Sequence, residues 1–251
     1  MVKPKKSLGQ HFLRDLNAAQ RIVDAVEPLA PVLLMEIGPG EGVLTERLLP
    51  KYPELHIIEI DDESVAHLRK EYFLNPDRLH HVDFLKWPIP EGQWVIIGNF
   101  PYNISSQIVF KMLENREIVR GLVGMFQKEV AQRIASPPGS KDYGILSVLC
   151  QTFYDVEYLF TVEADAFFPP PKVQSGVIRV VRKKGYKPDC DERFLFTLVK
   201  QAFNQRRKML RNSIKSFLND SNQDAVSQYL EMRPEQLGFE DFVKLSRLLK
   251  P

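Results

Sequence analysis

Apolar and polar positions along the 251-residue chain fall into two regimes. Up to Lys184, short apolar runs alternate with stretches of helical spacing. Strands are predicted at 31–38 ("PVLLMEIG"), 54–61 ("ELHIIEID"), 78–85 ("RLHHVDFL"), 93–98 ("QWVIIG") and 119–126 ("VRGLVGMF"). Helices are predicted between or after them: "EGVLTERLLPKY"; "DESVAHLRKEY", with Asp62 near its N-cap; "SSQIVFKMLEN", opened by Ser105 or Ser106; and the start of one at "QKEVAQRIA". Such alternation predicts a mostly parallel sheet with helices on both faces. "SPPGS" (136–140) reads as a surface turn. "DVEYLFTV" and "GVIRVVRK" (176–184) read as two late strands, a pair suited to closing the sheet edge. Past Lys184 the strand signal stops. "GYKPD" (185–189) reads as a linker, and the segments beyond it are helical. The predicted architecture is α/β over 1–185, with a doubly wound, mostly parallel seven-stranded sheet, followed by a small all-helical domain over 186–251.

Composition narrows this picture. An apolar fraction of 44% suffices for one large domain or a domain and a smaller companion. Two cysteines, Cys150 and Cys190, cannot form a disulfide framework and have no metal-ligand spacing. That favours a reducing, cytoplasmic setting. The basic start "MVKPKKSLGQHF" has no apolar signal core, and no run of 18 apolar residues suggests a membrane span. Charge is uneven. Up to residue 181 there are 19 basic and 23 acidic residues; beyond it there are 15 and 9. A basic C-terminal part fits either a polyanionic partner or a solvated helical surface.

Candidate chemistry gathers at strand ends. The first strand runs into Glu36-Ile37-Gly38-Pro39-Gly40-Glu41-Gly42. Glycines there let a ligand approach the backbone beside a helix N-terminus. The spacing G-x-G-x-G departs from the diphosphate-binding pattern, and Glu41 would repel a diphosphate. The second strand ends in Glu59, placed to accept from ribose hydroxyls. Asp83 follows the third and can accept an adenine amino group. Asn99 ends the fourth. Singly, each acid reads as a loop residue or helix cap; together they mark the ligand-binding edge of an open α/β sheet. Adenosine without a diphosphate points to S-adenosylmethionine.

The fourth strand continues into Asn99-Phe100-Pro101-Tyr102, similar to the N-[IL]-P-Y motif of enzymes methylating adenine N6. The Asn99 carboxamide oxygen and the Phe100 carbonyl can both accept from the exocyclic amine. Tyr102 can stack on an extruded base. The bland alternative is that both rings pack under a loop. Phe167 and Phe168 precede three prolines that stiffen their segment. One is expected as a buried anchor, the other as a ring opposite Tyr102. No metal is expected, since no anionic leaving group needs stabilising.

The ordered set "SLGQHFL" (7–13), "EIGPGEGVLT" (36–45), "IEID" (58–61), "VDFL" (82–85), "GNFPYNISS" (98–106), "FQKEVAQRI" (126–134), "YGILSV" (143–148), "FFPPPKVQS" (167–175) and "FNQRRKMLRNS" (203–213) resembles the small-subunit ribosomal RNA adenine N6-dimethyltransferases of bacterial type. The resemblance spans nearly the whole chain and implies a Rossmann-like methyltransferase. It implies two methyl groups on N6 of each of two adjacent adenosines, in a hairpin loop near the 3′ end of 16S rRNA in the immature small (30S) subunit. It assigns cofactor contacts to His11, Leu13, Gly38, Glu59, Asp83 and Asn99. Many members carry asparagine at His11, so a backbone contact is expected there. Asn99 and the Phe100 carbonyl would position the amine. Tyr102 would stack on the base, and Phe167, two residues before the first proline, would face it. The basic stretch holding Arg206, Arg207 and Lys208 would lie on a helix and meet rRNA phosphates; its alternative is a bridge to the first domain. The family implies a monomer with a second role as a checkpoint in subunit maturation. Two rivals remain: an enzyme methylating one adenine of large-subunit rRNA, and a non-catalytic rRNA-binding assembly or transcription factor on the same fold.

Overall fold

A computed structural model of the protein describes residues 2–72 and 74–250. Its strands are β1 (Phe12–Leu13), β2 (Leu33–Ile37), β3 (His56–Glu59), β4 (Leu79–His81), β5 (Trp94–Asn99), β6 (Val119–Gln127), β7 (Tyr154–Val162), β8 (Phe167–Phe168) and β9 (Ser175–Arg182). Its α-helices are α1 (Leu16–Asp24), α2 (Thr45–Leu48), α3 (Asp62–Glu71), α4 (Ser105–Glu114), α5 (Lys128–Ala135), α6 (Ile145–Phe153), α7 (Glu192–Asn204), α8 (Leu210–Ser213), α9 (Gln223–Leu230) and α10 (Phe239–Leu249).

Seven strands form one sheet in the order β4-β3-β2-β5-β6-β9-β7. Pairing is parallel from β4 through β6. β9 joins β6 antiparallel, so the two late strands close that edge. Between them lies the short β8, paired with β1 in a separate two-stranded ladder. From β2 the order runs outward in both directions, to β3 on one side and β5 on the other. The crevice beyond their carboxyl ends is the topological switch point, where such sheets bind ligands. β2 and β5 are buried almost throughout, as strands covered on both faces must be.

Of four local expectations two hold, Asp62 beside the N-cap of α3 and Ser105 opening α4, and two are revised. The helix expected over 41–52 is a single turn, α2, because the glycine loop continues through Gly42 in the left-handed region. α3 is flanked by Asp61 at its N-cap, with Asp62 as its first residue. α4 starts at Ser105 with Ile104 at its N-cap and no side-chain capping bond. The basic stretch 206–208 is a turn, not a helix: α7 stops at Asn204, and the Lys208 amide closes on the Gln205 carbonyl at 2.7 Å.

The chain packs as two compact units. One comprises the residues up to Ala131 together with Val156–Arg182. The other comprises Gln132–Asp155 together with Lys183 onward. The helical unit thus includes α6 as well as the segments past the predicted linker. α6 is apolar on every side, with seven buried positions, and packs against α7 and α10. Tyr143 and Phe242 flank Phe203, with ring centroids 6.3 and 5.9 Å away. Among the described residues, no helix is long and apolar enough to cross a membrane.

Candidate active site

A cavity of about 370 Å³ lies at the carboxyl ends of β2, β3 and β5. Its lining includes His11, Leu13, Gly38, Glu59, Asp83, Asn99, Phe100 and Tyr102, eight residues separated by up to 91 positions in sequence. The glycine loop forms its floor. Gly38 and Gly40 hold φ angles of 67° and 58°, which side chains with a Cβ seldom adopt. A Cβ on Gly40 would stand 2.8 Å from the Phe12 ring. The loop backbone and β1 therefore approach more closely than any other residue permits.

Two buried carboxylates line the cavity and are treated differently. Glu59 accepts from the backbone amides of Gly40 (3.2 Å), Ile60 (2.8 Å) and Asp61 (2.9 Å). Burial raises its pKa, and these three donors oppose the rise. Glu36, 1% exposed, accepts from the Thr45 hydroxyl at 2.6 Å through one oxygen. Its other oxygen is buried without a partner. Burial, with a smaller contribution from Glu59, pushes this carboxyl up to about 8. Glu36 preceded the glycine motif in the sequence but was given no role there. Glu36 thus adds to the cavity wall a buried acid with one unsatisfied oxygen. Asp83 accepts from the Leu85 amide at 2.9 Å, which orients its carboxylate at the end of the following loop.

The segment around β1 is strapped across this edge. Lys5 and Gln10 bond to Asp61, Val2 and Arg14 to Glu41. The Asn99 amide nitrogen donates to the His11 carbonyl at 2.9 Å, leaving the amide oxygen as its acceptor. The His11 Nδ1–H donates to the Pro169 carbonyl at 2.7 Å. Its ring stacks on Tyr102, with centroids 5.4 Å apart. The Tyr102 hydroxyl lies 2.6 Å from the Ser175 hydroxyl. Burial raises the phenol pKa, so Tyr102 meets its surroundings as a neutral ring. Phe100 reaches the cavity while its ring, 1% exposed, packs edge-on against Phe126.

Two sequence assignments fall elsewhere. Phe167 is 4% exposed and packs in the core with Leu13, its partner in the β1–β8 ladder. It is absent from the cavity lining, so the structure does not set it opposite Tyr102. Adjacent strand residues point to opposite faces, and Phe168 is the one left outside. Arg206 donates to the carbonyls of Ser140 and Lys141 within the helical unit, while Arg207 and Lys208 are exposed.

Known proteins match this arrangement. The family model described as "Ribosomal RNA adenine dimethylase" matches residues 1–250. "Ribosomal RNA small subunit methyltransferase A" of Porphyromonas gingivalis is 52% identical over 99% of this chain and 98% of its own length. The protein of the same name from Flavobacterium johnsoniae is 51% identical over 99% and 97%. A dimethyladenosine transferase from Plasmodium falciparum superposes with a TM-score of 0.80 at 26% identity, covering 94% of this chain and 96% of that one. The 23S rRNA methyltransferase ErmE superposes at 0.70 with 24% identity, over 94% and 99%, a likeness of fold. With a match along essentially its whole length and relatives at half identity, the chain belongs to the ribosomal RNA adenine dimethylase family.

Proposed function

We propose that this protein transfers methyl groups to N6 of two adjacent adenosines near the 3′ end of 16S rRNA in the immature small subunit, giving N6,N6-dimethyladenosines. The observation that carries this reading is Asn99. Its nitrogen is used to hold the His11 carbonyl, so its oxygen is the half of the amide available to an exocyclic amine.

The cavity fits S-adenosylmethionine as donor. Glu59 accepts at the end of β3, where a ribose edge belongs. Asp83 is oriented to accept an adenine amino group. The glycine floor admits close backbone approach. When bound, S-adenosylmethionine supplies a methyl group already activated on a sulfonium.

The chain's own residues then position the acceptor. The amine of adenine is conjugated with its ring and is a weak nucleophile. Acceptance by the Asn99 oxygen and the Phe100 carbonyl draws its N–H bonds to one side and turns the nitrogen lone pair toward the methyl group. Tyr102 holds the base face; His11 behind it and Ser175 at its hydroxyl fix the ring. Arg207 and Lys208 supply exposed charge suited to RNA phosphates, while Arg206 holds the neighbouring loop.

The test is transfer of tritiated methyl from labelled cofactor to immature small subunits and, in parallel, to unmodified large-subunit rRNA, followed by mass spectrometry of the 3′-terminal small-subunit rRNA fragment. Two dimethylated adenosines per fragment are expected. Label in large-subunit rRNA would favour the first rival, and binding without transfer the second.

A further inference from the structure

The β8 ladder leaves one large ring unexplained. Phe168 is 52% exposed, on a segment stiffened by Pro169, Pro170 and Pro171. A side chain needed only for packing has no reason to be there, since its neighbour Phe167 already provides the anchor. Two other exposed apolar residues, Leu16 and Ile60, line the cavity. Phe168 itself stands opposite Phe12, the residue packed over Gly40 of the cavity floor. Its next residue, Pro169, receives the His11 hydrogen bond, and His11 is the ring stacked on Tyr102. Phe168 is thus joined through one peptide unit and the His11 imidazole to the Tyr102 ring, whose other face is assigned to the target base.

The charge around it is suited to a nucleotide. The Arg14 guanidinium lies 5.9 Å from the Phe168 ring centre, held by Glu41 at 2.6 Å. Lys172 is exposed on the same proline segment. A rigid, solvent-facing aromatic ring with a cation beside it is the chemistry that binds an unpaired base and its phosphate.

We propose that Phe168, with Arg14 beside it, is a second stacking site for the unpaired nucleotide next to the adenosine being methylated, on the same RNA strand. This rests on the reading that Tyr102 receives the target base. A site of this kind keeps two adjacent adenosines apart: one enters the cavity while its neighbour is parked outside.

The experiment uses the full chain saturated with S-adenosylhomocysteine, so that no transfer occurs. It is titrated with an RNA hairpin whose loop carries an adenosine beside 2-aminopurine. Wild-type protein should bind the hairpin and change the 2-aminopurine fluorescence through stacking. Phe168→Ala should weaken binding about tenfold and abolish that change, a stacked base being worth one to two decades in affinity. Phe168→Tyr should retain both, and S-adenosylhomocysteine affinity should stay the same in both variants. Equal RNA binding and fluorescence in Phe168→Ala would overturn the proposal alone. So would a Phe168→Ala defect seen only with immature subunits and not with the hairpin, which would point to a ribosomal protein. Wild-type protein that binds neither hairpin nor subunit would overturn the functional reading beneath it as well.

Discussion

The strand-end cavity and the basic turn after α7 both collect polar side chains, but the two regions use them in opposite ways. In the cavity two polar groups are held on one side and left unpaired on the other. Asn99 has its nitrogen engaged and its oxygen available; Glu36 has one oxygen bonded and one bare. In the turn, Arg206 donates inward to two backbone carbonyls, and its neighbours Arg207 and Lys208 stand in solvent. A functional group is therefore marked less by its charge than by an unmet bonding capacity held rigidly. A run of three basic residues can divide between a structural staple and a solvated surface.

Five substitutions would sharpen or break that contrast. The largest effect is expected at Asn99. Asn99→Ala should slow single-turnover methyl transfer roughly hundredfold or more, as loss of a preorganised polar contact does. Cofactor affinity should change far less, as a parallel titration would check. Full turnover would remove Asn99 from the chemistry. Next comes Gly40→Ala, which forces a left-handed φ on a residue with a Cβ and drives that Cβ into the Phe12 ring. Chemical denaturation should show a loss of about 1–2 kcal/mol, with weaker cofactor binding. In the turn, Arg206→Ala should cost about 1 kcal/mol of stability through the lost carbonyl bonds. Arg207→Ala and Lys208→Ala should leave stability unchanged and each lower the salt dependence of RNA binding by about one ion. If all three behaved alike in both assays, the division between staple and surface would fail.

The buried Glu36 adds a pH dependence. The Glu36 carboxyl is pushed up to about 8 in the folded chain, above its ordinary value of 4.5. The folded state thus holds a proton that the unfolded state releases, and stability from this group is lost as pH rises through 4.5 to about 8. Glu36→Gln cannot ionise. Melting curves from pH 6 to 9, without cofactor, should show the variant gaining on the wild type as pH increases. A constant difference would mean Glu36 does not change charge in this range.

Much of the fold was legible because buried parallel strands are short apolar runs that stop at glycine or an acid. β2, β3 and β5 all lie within their predicted spans to within one residue, and those ends carry Gly38, Glu59 and Asn99 to one crevice. What escaped the sequence had weak or mixed periodicity. α1 is built partly on Ala18 and Ala19, with only Asp15 at its N-cap to signal a start. α6 is apolar all round, so no face distinguishes it from a strand. β1 and β8 are two residues each, too short to show alternation. Without that ladder nothing in "AFFPPP" says which ring turns inward, and the family resemblance alone assigns Phe167 to the site. Glu36 was visible as an acid before a glycine motif, but its unpartnered oxygen is a property of the packed core alone.

The strap over the cavity has a thermodynamic consequence. Phe12 and Leu13 line the cofactor cavity and also pair with Phe168 and Phe167, while His11 supports Tyr102. The same few residues thus border both binding sites. Any free energy that cofactor gains by settling them is transmitted to the RNA side, and linkage requires the return effect to be of equal size. Donor and demethylated product differ only in the methyl and its charge. To the extent that they hold this strap differently, each transfer also resets the grip on RNA.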